Sequence, residues 1–219
     1  MVDVVKWVDS TVRRRSANEA LESDARRAQI VTAAIGAIED LGTQASMTEI
    51  AKRAGLPRPN IYRHFASREQ LDAEVARLAA TELIRRVRPS LGQPGTLHEV
   101  IRNVIAPCVT WAAEHPNLYR FLASQQQTNS PKDQPSLLNE LIEATHVYLH
   151  STALPQIPPD GIMAGLVGMV DSSVIWWLDH PDESKDQLID RLTRQVVVAG
   201  ADLFAQLGFT AQTFGYGTI

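Results

Sequence analysis

Apolar residues recur along this chain at three- and four-residue intervals, the period of an α-helix, and runs of strict alternation are few. Ile30, Ala34, Ile38 and Leu41 form one such stripe, which predicts a helix over about 23–41 that Gly42 stops. Ser46 and Glu49 have the S-x-x-E spacing in which the serine caps a backbone N–H and the glutamate reaches back. A second, short helix therefore starts at Ser46, with Ile50, Ala51 and Ala54 on its buried side. Gly55 allows a turn with positive φ. A third short helix begins near Pro57 or Arg58 and ends at Phe65. Ser67 with Gln70 caps a fourth, long helix that reaches about Arg88 before Pro89, Gly92, Pro94 and Gly95 end it. Five further helical segments follow at roughly 97–114, 116–125, 134–151, 160–180 and 183–207. The pattern predicts an all-α fold of about nine helices without internal repeats.

The chain has 219 residues, enough to bury on the order of 70% of its unfolded surface without a staple. Its single cysteine, Cys108, excludes an internal disulfide and a CxxC zinc or redox site. Lys and Arg number 21 against 25 Asp and Glu, a net charge of −4. Taken alone, that total argues against a nucleic-acid partner. The regional balance changes the picture. Residues 1–70 hold eleven basic against nine acidic side chains, residues 71–219 ten against sixteen, and Thr43–Arg68 five against one. A small basic head is averaged with a larger acidic body, which should repel phosphates and keep the chain docked head-first. Asp3, Lys6 and Asp9 interrupt any apolar core at the N-terminus, so no secretory signal is expected. The run Gly161–Leu178 carries Asp171, Ser172 and Ser173, and reads as a buried helix of a soluble bundle, not as a membrane span. Both readings point to the cytoplasm.

The segment Ser46–Phe65, SMTEIAKRAGLPRPNIYRHF, places two short helices around Gly55, the pattern of a helix-turn-helix whose second helix enters the major groove. Ile61 and Phe65 are four apart and face inward, leaving Arg58, Asn60, Tyr62, Arg63 and His64 outside or at the edge. Arginine pairs bidentately with guanine and asparagine with adenine, so Asn60 and Arg63, then Arg58, are the candidates for base readout. Tyr62, His64 and Arg68 are expected at phosphates, and Thr48 adds a hydroxyl in the first turn of the second helix. A capping box and glycine turn also occur in helical hairpins that touch no DNA. Arg13, Arg14 and Arg15 lie in an expected loosely ordered arm, either a solubilising tail or an arm tracking phosphates or the minor groove.

Three stretches, RRAQIVTAAIGAIEDLG, SMTEIAKRAGL and IYRHFASREQL, together resemble the TetR family of transcriptional regulators over about Arg26–Leu71. Ile61, Tyr62, His64, Phe65, Ser67 and Arg68 fill the places of that family's L-Y-x-H-F motif and its following cap and basic residue. Pro57 stands where the family usually has a serine cap, and Pro59 where it has a small residue, often glycine. Proline is tolerated there because first-turn N–H groups lack intrahelical partners. The resemblance implies an arm over 1–22, a DNA-binding domain over 23–68 and a ligand-binding and dimerisation domain over 69–219. It implies a homodimer on a double-stranded, palindromic operator, released by a small hydrophobic or amphipathic effector.

The second region has its own support for this. Ile162, Leu166, Val170, Val174 and Leu178 recur every four residues beside Gly161, Gly165 and Gly168, which permit close helix approach. Ile189, Leu192, Val196, Ala199 and Leu203 follow three-and-four spacing. Two such helices per subunit suit a four-helix interface, or an intramolecular core. Candidate ligand-pocket residues are Trp111, Tyr119, Phe121, Leu122, Leu141, His146, Met163, Val167, Met169, Trp176 and Trp177, with Arg102, Asn103 and His146 as polar anchors and Pro107 as a kink. Each aromatic among them is of a kind more often found in a core than in a pocket wall. His146 and His150, four apart with Glu143 nearby, read as ordinary histidines, and Cys108 as a small buried thiol. No metal, cofactor or catalytic residue is expected. The alternatives are a small-molecule-binding protein or enzyme using His146, Glu143 or Cys108, and an interaction module whose helix-turn-helix no longer binds DNA.

Overall fold

A computed structural model of the chain describes residues 2–91, 93, 95–128, 137–151 and 160–206. Among them are nine α-helices: α1 Val2–Leu41, α2 Met47–Ala54, α3 Arg58–His64, α4 Arg68–Val87, α5 Leu97–Glu114, α6 Pro116–Thr128, α7 Leu137–Ser151, α8 Asp160–Asp179 and α9 Lys185–Gln206. The fold is all-α, and no strand occurs among the described residues. The chain divides into two compact units, one ending at Val75 and the other starting at Ala76, so the boundary falls inside α4.

In the first unit, α1 packs on α2 and α3. Ile30, Ala34 and Ile38 of α1, Ile50 of α2, and Ile61 and Phe65 at the end of α3 are fully buried. Each such side chain contributes roughly 1.5–3 kcal/mol of burial. Leu41, the fourth member of the expected stripe, is instead half exposed, because the helix ends there. The Ser46–Glu49 capping box is formed in both directions. Gly55 closes α2 at φ +65°, a left-handed conformation that a side chain would strain. Gly36 has another role: a Cβ there would lie 2.5 Å from Arg53 Nε, so its absence lets the Arg53 guanidinium cross α1 and reach Asp40.

α1 begins at Val2, not near Ser23. The loosely ordered arm expected over 1–22 is continuous with the helix, and the reason is plain in the sequence: no glycine or proline occurs before Gly36. The side chains of Arg13–Arg15 lie outside the described residues.

In the second unit, α5 packs on α9, α6 and α8. Its core holds Ile105, Cys108, Val109, Trp111 and Ala112 of α5, Leu118, Tyr119, Phe121 and Leu122 of α6, and Leu188, Ile189 and Leu192 of α9. A second capping box, Thr96 with Glu99, starts α5. Arg102 bonds Asp190 at 3.0 Å, fastening α5 to α9, and Arg120 bonds Asp179 at 2.6 Å, fastening α6 to the end of α8. α8 is long and apolar enough to cross a membrane, and only 11% of its most apolar stretch is buried. The expectation of a buried helix is corrected here. Val174 is enclosed, whereas Trp176 is 61% exposed and a Cβ on Gly161, Gly165 or Gly168 would meet nothing within 4 Å. Neighbouring helices of one chain cover one side of a helix that is apolar nearly all round.

Candidate nucleic-acid interface

α3 is only seven residues long, too short to hold itself together, so its position depends on what clamps it. Pro57 is its N-cap with φ −58° and ψ 139°, and Pro59 sits in the first turn, where neither forfeits a helical bond. The Asn60 N–H donates to the Pro57 carbonyl at 2.8 Å. Ile61 and Phe65 anchor the inner face. At the far end the Arg27 guanidinium donates to the His64 carbonyl and lies 4.2 Å from the Phe65 ring centroid. Gln29 donates to the Ala54 carbonyl at 2.8 Å, so one turn of α1 holds the last carbonyls of both short helices.

What remains outside is the candidate site. Arg58, Tyr62 and Arg63 are exposed, and Asn60 and His64 stand half-buried at the edges. The Arg58 guanidinium donates to the Tyr62 hydroxyl at 3.3 Å and lies 5.7 Å from its ring, which orders both side chains on one surface. Among the described residues, no side-chain bond is made by Asn60 or Arg63, and Thr48 is exposed on the first turn of α2. Arg68 is placed differently from the other six. Its Nε donates to Asp72 at 2.7 Å and its second nitrogen donates to the Ala45 carbonyl at 2.5 Å. Burial pushes the Asp72 carboxyl up, against the lowering by Arg68.

In the second unit the pocket candidates separate by burial. Trp111, Tyr119, Phe121 and Leu122 are core residues, whereas Leu141, Met163, Val167 and Met169 are half-buried. Trp177 donates its indole N–H to the Glu183 carbonyl at 2.8 Å, and exposed Trp176 stacks on His180 at 4.0 Å. Of the polar anchors, Asn103 is exposed, Arg102 is spent on Asp190, and His146 lies 3.1 Å from Asp160. The side chain of His150 lies outside the described residues. Burial pushes the Cys108 thiol up to about 12, so it stays protonated. Sequence reasoning missed Arg27, Gln29 and the bond of Tyr119 to Asp171. The available signal was a charged residue in phase with an apolar stripe: Arg27 precedes Ile30, Val31 and Ala34, and Asp171 lies between Val167 and Val174.

A capped short helix, a left-handed glycine turn and a clamped second helix with a basic, polar outer face define a helix-turn-helix DNA-binding protein. Residues 30–75 match the family model for bacterial regulatory proteins of the tetR family. An uncharacterized HTH-type transcriptional regulator of Mycobacterium tuberculosis is 28% identical over 177 residues, covering 77% of this chain and 74% of its own. Among solved structures, a tetR-family transcriptional regulator from Streptomyces coelicolor superposes with a TM-score of 0.64 at 20% identity, over 84% of this chain and 83% of its own. The transcriptional regulator FadR from Bacillus subtilis, in complex with stearoyl-CoA, gives 0.58 at 18% identity over 78% and 97%. Residues 30–75 thus carry a helix-turn-helix of the tetR type, and the chain has the fold of tetR-family transcriptional regulators.

Proposed function

We propose that the protein is a homodimeric repressor that binds a palindromic operator through its helix-turn-helix and leaves DNA when a small apolar or amphipathic effector binds the region 69–219. The observation that carries the DNA reading is the outer surface of α3, where Asn60 and Arg63 make no side-chain bond among the described residues and stand beside the ordered Arg58–Tyr62 pair. In this reading Asn60, Arg63 and Arg58 read bases, Thr48, Tyr62 and His64 touch phosphates, and Arg68 positions the others without touching DNA. Exposed Trp176 on α8 and Val198 on α9, with the open glycines of α8, support a second copy against these helices. Two recognition helices roughly 34–36 Å apart would then meet successive major grooves. The effector must bind the two arrangements unequally, since equal affinity shifts nothing. α4 is the covalent route for that shift, because the unit boundary falls within it. The stearoyl-CoA complex of a protein of the same fold supports an apolar effector. A DNA-binding regulator works in the cytoplasm of a bacterium.

Selection of bound duplexes from random DNA tests the reading. A palindrome with half-sites one helical turn apart is expected. Retardation of that duplex should be lost in the double variant Tyr62→Ala, Arg63→Ala; unchanged retardation overturns the site assignment.

A further inference from the structure

Asp171 sits in the middle of α8, the most apolar helix, on the face shared by Val167 and Val174. Its side chain is half-buried. The Tyr119 hydroxyl of α6 donates to it at 2.6 Å, and Cys108 of α5 lies close enough to feel its charge. Neither neighbour is a cation, and no Lys, Arg or His pairs with Asp171 among the described residues. A carboxylate has about four acceptor sites, and Tyr119 fills one. Buried charges are ordinarily paired, and an acid costs more to bury than a neutral acceptor making the same bond. If the pair only tied α6 to α8, asparagine would serve at lower cost. The negative charge itself therefore calls for a partner, and half-buried Val167, one turn before Asp171 on the same face of α8, gives that partner an apolar setting.

We infer that Asp171, which Tyr119 bonds from α6, is the polar anchor of the effector site, and that the effector is an apolar molecule bearing an amine or another cationic hydrogen-bond donor. The inference rests on the reading above that the second unit holds an effector, and it narrows that effector to one sign of charge. An anionic head group would meet Asp171 as a like charge.

Calorimetric titration of the purified full chain with decylammonium and with decanoate tests it, since the two probes share a hydrocarbon tail and differ in head-group charge. Decylammonium should bind roughly tenfold tighter or better, the worth of a charge-assisted hydrogen bond. Asp171→Asn keeps an acceptor for Tyr119 and should abolish the preference with the melting transition retained. Tyr119→Phe keeps the carboxylate and should retain the preference. Equal affinities, tighter decanoate, no saturable binding of either probe, or a preference that survives Asp171→Asn or disappears in Tyr119→Phe overturns the inference. Retardation of the selected duplex by the same preparations separates the two failures. DNA binding without the charge preference defeats this inference alone, whereas absence of DNA binding defeats the regulator reading.

Discussion

Replacing Arg68 by methionine separates two roles that one arginine can play beside DNA. Its guanidinium bonds Asp72 at 2.7 Å and the Ala45 carbonyl at 2.5 Å, with the Arg68 and Asp72 side chains only 24% and 16% exposed. Ala45 precedes α2 and Asp72 lies in the first turns of α4, so Arg68 is a strut across the base of the helix-turn-helix. Hydrogen bonds to charged groups are worth about 1.5–3 kcal/mol each, and partial exposure screens the ion pair toward the lower end. Methionine keeps most of the packing volume, so the expected loss is about 2 kcal/mol. Part of that loss comes from Asp72, left without its cation where burial already raises its carboxyl. Urea unfolding measures the loss. Adding Asp72→Asn should recover part of it, because the two side chains act as one unit. Operator titrations across salt concentrations measure the second role, since each phosphate neutralised contributes about 0.9 to the log–log slope. A strut leaves that slope unchanged. If the slope falls in magnitude by about 1.8 in Arg68→Met, one phosphate for each head of the dimer, and the unfolding midpoint does not move, the reasoning is refuted and Arg68 is a phosphate contact.

Arg27→Met should weaken operator binding severalfold without changing which bases are preferred, because it releases the end of α3 but touches no outer side chain; retardation on the operator and on single-base variants would expose a changed preference. Asp171→Asn should raise the melting temperature at neutral pH. Burial holds the Asp171 carboxyl above its ordinary range, so between the unfolded and folded values the native state binds more protons and stability falls as pH rises. The gain from asparagine should therefore shrink as pH falls from the folded value to the unfolded one and be gone below it, and parallel melting curves for the two proteins from acid to neutral pH would contradict it.

The head was legible where its determinants are local. Ser46 and Glu49 lie three apart and form both bonds of the box, and Ile61 and Phe65, four apart, are both fully buried. The struts were not legible, because their acceptors are backbone carbonyls far along the chain: His64 is 37 residues from Arg27, and Ala45 is 23 from Arg68. Every residue carries a carbonyl, so no pattern of side chains marks the one that receives a guanidinium. α8 failed for a different reason. Periodicity counts apolar positions but does not say whether one chain has enough neighbours to cover them, and here only Val174 is enclosed while Trp176 is not.

The same struts alter what the charge of the head means. Thr43–Arg68 contains Lys52, Arg53, Arg58, Arg63 and Arg68 against Glu49, a net +4 that by itself gives a dimer a salt slope of roughly −7. Two of those five cations are already compensated inside the unit: Arg53 bonds Asp40, which lies outside the counted segment, and Arg68 bonds Asp72, which does too. Among the described residues Arg58 is bonded only to a neutral hydroxyl, so its charge remains, as do those of Lys52 and Arg63. Three available cations per head, six per dimer, give a slope of about −5. A measured slope near −7 or steeper would mean that DNA draws Arg53 or Arg68 from its carboxylate, or that the arginines at 13–15 join the interface. Arg68→Met distinguishes these, since it changes the slope only if Arg68 is one of the cations recruited.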